Sequence, residues 1–161
     1  MGTRSQREKV VTTDWDVFVH GLAGCLAKLP SRATVILLAT GNRYVQFQQF
    51  DITLSAELTG DYYLAEPISD SAAQLLRDLG WTPPALQREI ENWRRTLRWP
   101  ITRSGFEELA RSAARGLHEA LGVPTPDDLR VSGWTETTAL DLSALAPVTP
   151  RSLPNPARSD Q

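Results

Sequence analysis

The amino-acid sequence predicts an α+β fold, an antiparallel β-meander with helices packed on one face. Three observations carry that prediction. Trp15, Phe18, Leu22, Cys25, Leu26 and Leu29 recur at helical spacing and form one apolar stripe. Between Ile52 and Thr59 the period is two: Ile52, Leu54, Ala56 and Leu58 alternate with Thr53, Ser55, Glu57 and Thr59. Beyond Pro67 the spacing becomes helical again, so strands cluster in the first half of the chain and helices in the second.

The elements follow in order. Residues 1–12 are polar and are expected to be flexible, and Thr13 offers an N-cap for the first helix, with Asp14 and Asp16 at the positive end of its dipole. Pro30 stops it. Gly21 and Gly24 lie inside that helix, where each costs about 1 kcal/mol against Ala, and close approach of a packed neighbour would explain them. ATVILLA (33–39) reads as a buried strand and Thr40-Gly41-Asn42 as a turn. Arg43–Gly60 reads as a hairpin bent around Gln49–Asp51, and DYYLAEP (61–67) as a fourth short strand. Ser69 or Ser71 caps a helix carrying Leu75, Leu76 and Leu79, with Gly80 just past its end. Leu86, Ile90, Trp93 and Leu97, spaced four, three and four, predict another amphipathic helix over 86–99. Ser104 and Glu107 have the form of a capping box opening a helix with Phe106, Leu109, Ala110, Ala113, Leu117 and Leu121 inward. Thr125–Asp128 reads as one helical turn and LRVSGW (129–134) as a last strand. From 139 to 161 the chain is Ala-, Pro-, Ser- and Thr-rich and is expected to be a disordered tail, leaving one domain over 13–138.

Bulk properties bound the function. The chain has 161 residues, 41% hydrophobic and 22% charged, with a formal net charge of −2, enough for one domain with a real core and against strong generic binding to nucleic acid or membrane. Positive charge is almost all arginine (Lys9 and Lys28 are the only lysines), which suggests a GC-rich coding genome. One cysteine, Cys25, excludes an intrachain disulfide. The start of the chain has no apolar signal core and the longest apolar run is too short to span a bilayer, so a cytoplasmic location is expected.

No catalytic or metal-binding signature is present, so no enzyme activity, metal or cofactor is expected. His20 and His118 sit on separate predicted helices without partners at ligand spacing. Cys25 lies on an apolar stripe, where a thiol behaves as a small hydrophobe. Arg94, Arg95, Arg98 and Trp99 could bind single-stranded nucleic acid by charge and stacking if the 86–99 helix displays them together. Glu89 and Glu91 dilute that charge, and a solvated helix face with arginine stems covering tryptophan is the simpler reading.

One surface is left over. Tyr44, Gln46, Gln48, Thr53, Ser55 and Glu57 fall on the non-core side of the hairpin and are almost uncharged. Such groups donate and accept hydrogen bonds without the desolvation cost of full charges, so the face suits a client polypeptide, and sheet edges could add backbone pairing. High β-propensity of Thr, Gln and Tyr explains much of the same pattern without a ligand.

The order of elements, with the stretches RYVQFQQF, AELTGDYYL, LLRDLGW, NWRRTLRWP and ARGLHEALGV, resembles the TY-Chap domains of actinobacteria, which are similar to type III secretion chaperones and to the YbjN family. The resemblance covers about residues 13–134. It implies a type III secretion chaperone-like fold that binds a protein or peptide without ATP or metal, and, since type III chaperones are typically small acidic homodimers, a homodimer as a further partner state.

Overall fold

The computed structural model describes the backbone of residues 2–145 and 149–150 and the side chains of 14–143 and 145. Its elements in chain order are α1 (Gly2–Ala27), β1 (Thr34–Ala39), β2 (Arg43–Gln49), β3 (Thr53–Leu58), α2 (Asp70–Asp78), β4 (Trp93–Arg98), α3 (Arg103–Arg115), β5 (Arg130–Trp134) and β6 (Thr149–Pro150). The strands form one sheet in the order β4-β3-β2-β1-β5-β6. The first five are antiparallel neighbours, and β6 adds two residues in parallel beside β5. The fold is therefore α+β, with three helices packed against a five-strand antiparallel sheet.

Period two sorts the sheet into its faces. Val35 and Leu37, Val45 and Phe47, Leu54, Ala56 and Leu58, and Val131 point inward and are buried. On them sit Phe18, Leu22 and Leu26 of α1, Leu76 of α2, and Phe106, Leu109, Ala113 and Leu117 from α3 and its continuation. Burying that many aliphatic and aromatic side chains, each stabilising by about 1.5–3 kcal/mol relative to exposure, is what holds the layers together. α3 runs on into a π turn over Gly116–Ala120. A Cβ on Gly116 would lie 2.9 Å from Leu58 Cδ2, so glycine is what lets this turn press onto the sheet.

The local signals mostly hold. Ser69 caps α2, its Oγ accepting from Ala72 N–H, and Gly80 follows at φ +95°, a left-handed conformation that glycine adopts without strain. Three caps or elements differ from expectation. α1 begins at Gly2, so Thr13 lies inside the helix and does not cap it. Thr102, not Ser104, caps α3, its hydroxyl accepting from Gly105 N–H at 3.0 Å. DYYLAEP is not a strand: Asp61–Tyr63 is a single 3₁₀ turn, and Asp61 then accepts from Ile68 N–H. The free side of β3, where that strand would pair, is taken by β4 from much later in the chain.

The 86–99 helix is the largest correction. Leu86–Arg88 is one 3₁₀ turn, Glu89 adopts φ +61°, and Trp93–Arg98 is the strand β4. Trp93 and Leu97 are four apart, and a spacing of four keeps two residues on one face in either a helix or a strand. The tail is corrected as well. Ala139 bridges Trp134, Leu140 and Leu142 pack on the core, and Leu145 is 1% exposed beside α1. Residues 139–145 thus belong to the domain, whereas the disorder expected over 146–148 and 151–161 lies outside the described residues.

Gly24 has no close neighbour: a Cβ there would meet nothing within 4 Å. Its expected explanation fails, and Gly24→Ala should raise stability by roughly 0.5–1 kcal/mol, read as a higher urea midpoint at unchanged slope.

Candidate functional site

The outer face of the sheet is built by the residues that alternate with the core. Cross-strand register sets them in rows: Thr96, Ser55, Gln48, Thr34 and Trp134 form one, and Arg94, Glu57, Gln46, Ile36 and Ser132 the next. Thr53 lies opposite Arg98, and Tyr44 opposite Leu38. All six residues singled out from the sequence, Tyr44, Gln46, Gln48, Thr53, Ser55 and Glu57, are therefore on one surface. Each is half-buried by its neighbours and none is sealed beneath a helix. Thr59, the last of the alternating series, is fully buried instead, its Oγ accepting from Tyr44 N–H at 2.6 Å and donating to the Tyr44 carbonyl at 2.9 Å.

A polar clamp fixes one end of this face. Asn92 is buried, and its Nδ2 donates to the Tyr44 hydroxyl at 2.9 Å and to Glu57 Oε1 at 3.2 Å, while its Oδ1 accepts from Gly60 N–H at 2.9 Å. Burial pushes the Tyr44 phenol above its ordinary range, the Asn92 bond opposes that, and the Glu57 and Glu91 charges add to it. Tyr63 donates to Glu91 Oε1, which holds its phenol up at about 12. Both tyrosines are hence neutral donors and acceptors at physiological pH. Asn92 does not stand out as a site residue in the sequence, because its role depends on Trp93–Arg98 being a strand rather than part of a helix.

The four residues of the nucleic-acid reading are not brought together. Arg94 and Arg98 point to the outer face. Arg95 points inward, 14% exposed, with both nitrogens 2.7 Å from the Glu108 carboxylate and further bonds to Ser112 Oγ and the Leu79 carbonyl. Trp99 stacks edge-on against Phe106 with a ring separation of 5.5 Å. A helical display of Arg94, Arg95, Arg98 and Trp99 does not exist, and two of the four are structural.

The outer edge of β4 is a second feature of this face. Trp99 N–H donates to the Ile52 carbonyl at 2.9 Å, which fixes the phase of the ladder. Trp93, Arg95, Leu97 and Trp99 turn their backbone groups to β3, and Arg94, Thr96 and Arg98 turn theirs outward. Thr82 takes both groups of Arg94, at 2.9 and 3.0 Å. Those of Thr96 and Arg98 have no backbone partner among the described residues.

Elsewhere the polar chemistry is structural. His118 Nδ1 donates to the Val123 carbonyl at 2.8 Å and its ring lies against Trp15. Burial pushes the Cys25 thiol up to about 11, the opposite of what a nucleophile needs. Among the described residues no group of three or more His, Cys, Asp and Glu side chains could hold a metal ion. No helix among them is long and apolar enough to cross a membrane.

No curated protein and no solved structure matches the chain. Residues 8–135, most of its length, match the family model TY-Chap3, described as T3SS (YopN, CesT) and YbjN peptide-binding chaperone 3. A one-layer sheet roofed by helices on one side, with a polar face and an open edge on the other, is an arrangement that suits such a role, and the chain belongs to the TY-Chap3 family of peptide-binding chaperones.

Proposed function

We propose that the client polypeptide lies on the outer sheet face, against Tyr44, Gln46, Gln48, Thr53, Ser55 and Glu57. Membership of the family means non-enzymatic binding of client polypeptides. The observation that carries the location is the register, which lines these side chains up on the one sheet face left free of the helical layer. Neutral hydrogen-bonding side chains there satisfy an extended backbone at little desolvation cost, and the outward groups of Thr96 and Arg98 let a further stretch of the same client add as a strand at the β4 edge.

Gln46→Lys with Thr53→Lys tests this. Both positions are on the outer face and outside the helical core, so the melting temperature should stay within a few degrees. Binding to an array of random decapeptides should fall about tenfold, because two desolvated charges now face the bound segment. Unchanged binding with unchanged folding would remove these residues from the contact surface.

A second copy of the chain is the other occupant such a face accommodates, and we place both copy and client there. The mass measured across a dilution series, with and without decapeptide, reads it directly: peptide should shift the protein toward one copy. The partly buried, protonated thiol of Cys25 is compatible with a reducing cytoplasm, where we place the protein.

A further inference from the structure

We propose that the β4 edge selects extended segments that place a carboxylate opposite Thr96. The inference rests on the preceding reading, that a client strand adds to this edge, and it names the chemistry the edge prefers.

Arg94 and Arg98 flank Thr96 at two residues on either side, and all three are on the outer face. Among the described residues neither arginine forms an ion pair, while Arg32, Arg95, Arg103 and Arg115 each meet a carboxylate. Glu57 stands across from Arg94 in the ladder, but its hydrogen bond goes to Asn92. The edge thus presents two guanidinium groups without an ion-pair partner among the described residues, in a chain whose net charge is −2.

The ladder phase decides what such a pair reads. A residue paired with Thr96 through the outward backbone groups projects its side chain onto the same face as Thr96. Its diagonal neighbours are Arg94 and Arg98, at roughly 7–8 Å, a span that long side chains bridge. A Glu at that place accepts charge-assisted hydrogen bonds from both arginines. A Gln keeps the geometry and loses the charge, and a Lys confronts two cations. Thr82 already occupies the Arg94 backbone, so the added strand pairs at Thr96 and Arg98 and is blocked beyond Thr96 in the direction of Arg94, which fixes its register. Selectivity here is a property of side-chain charge at one position, separable from the backbone pairing that any sequence supplies.

The probes are three labelled nine-residue peptides, amidated at the C-terminus and alternating Thr and Val, with Glu, Gln or Lys as the last residue, so that an antiparallel peptide ends opposite Thr96. Fluorescence anisotropy measures their binding to the full chain and to the Arg94→Ala/Arg98→Ala variant. The Glu peptide should bind about tenfold tighter than the Gln peptide, with Lys weakest. The Glu advantage should shrink as salt is added and vanish in the double variant, whose melting temperature should be unchanged. Equal binding of Glu and Gln peptides overturns the selectivity and leaves strand addition standing. If none of the three binds, both fall. A single-stranded oligonucleotide bound more tightly than the Glu peptide, and released by the same double substitution, would also overturn it by making the arginine pair a polyanion site.

Discussion

A chain that stops at Thr138 should lose most of its stability, although everything removed was expected from composition to be tail. Leu145 is 1% exposed, and Leu140 and Leu142 pack on the same core. The segment is held by backbone as well as by side chains: Leu140 N–H donates to the Gly133 carbonyl and Leu145 N–H to the Leu142 carbonyl, both at 3.0 Å. Gly133 is shaped to receive it, since a Cβ there would lie 3.0 Å from Leu142 Cδ1 and 3.2 Å from Leu140 Cδ1. Leu145→Ala alone should cost about 2–5 kcal/mol. Loss of all three leucines should exceed that, against a total stability of about 5–15 kcal/mol for an ordinary domain. Urea unfolding followed by tryptophan fluorescence measures it, with the full chain as the control. A second readout is local. The groove beside α1 is lined by Cys25, Leu29, Leu140 and Leu142, and burial there raises the thiol from 9.0 to about 11. With the segment gone the thiol should return toward 9.0, so alkylation of Cys25 at pH 8 should quicken even in molecules that remain folded. A shortened chain that melts like the control would take 139–145 out of the core.

Why composition misleads at this point is instructive about the rest of the fold. Leu140, Leu142 and Leu145 are separated by Asp141, Ser143 and Ala144 in a stretch with no sustained period, and their burial depends on a groove made by α1 and β5, which no local pattern announces. Elements that bury their own face are legible. β2, β3, α2 and α3 can be read because alternation or helical spacing is written in each of them separately, and β1 because it is a short run of β-branched and aliphatic residues. β4 cannot, because Trp93 and Leu97 satisfy both periods, and the outward series Arg94, Thr96 and Arg98 reads equally as the polar side of a helix. That ambiguity propagates to the site. With β4 taken for a helix, Arg94, Arg95, Arg98 and Trp99 form one surface. As a strand it divides them between two faces and brings Arg94 and Arg98 to the polar side of the sheet beside Glu57 and Thr53. The six face residues need only the hairpin register, which the sequence contains. Asn92 needs the tertiary crossing of two loops, which it does not.

Gly60→Ala tests that crossing and should be among the most damaging single substitutions in the chain. Gly60 has φ −94°, a conformation open to any residue, so backbone preference does not require glycine. Space does. A Cβ would lie 2.1 Å from the Glu91 carbonyl oxygen and 3.1 Å from Pro84 Cγ. The obstruction is backbone and a proline ring, neither of which can rotate aside, so the segment entering β4 must shift bodily. Such a shift would break what the crossing holds. Gly60 N–H bonds to Asn92 Oδ1, and Asn92 in turn ties the Tyr44 hydroxyl and Glu57, so a displaced Asn92 leaves buried polar groups unsatisfied on both sides. Overpacking and the lost buried bonds together should cost about 3 kcal/mol or more. Asn92→Ala removes the same bonds without the clash and should cost about 1–3 kcal/mol, so the difference between the two variants isolates the steric contribution. The consequence for function lies at the client face. Asn92 immediately precedes Trp93, the first residue of β4, so both variants should speed hydrogen exchange at the β4 amides and weaken peptide binding more than distance from Thr96 would imply. A Gly60→Ala protein with native stability and native exchange along β4 would mean that the two loops do not meet as closely as the geometry requires.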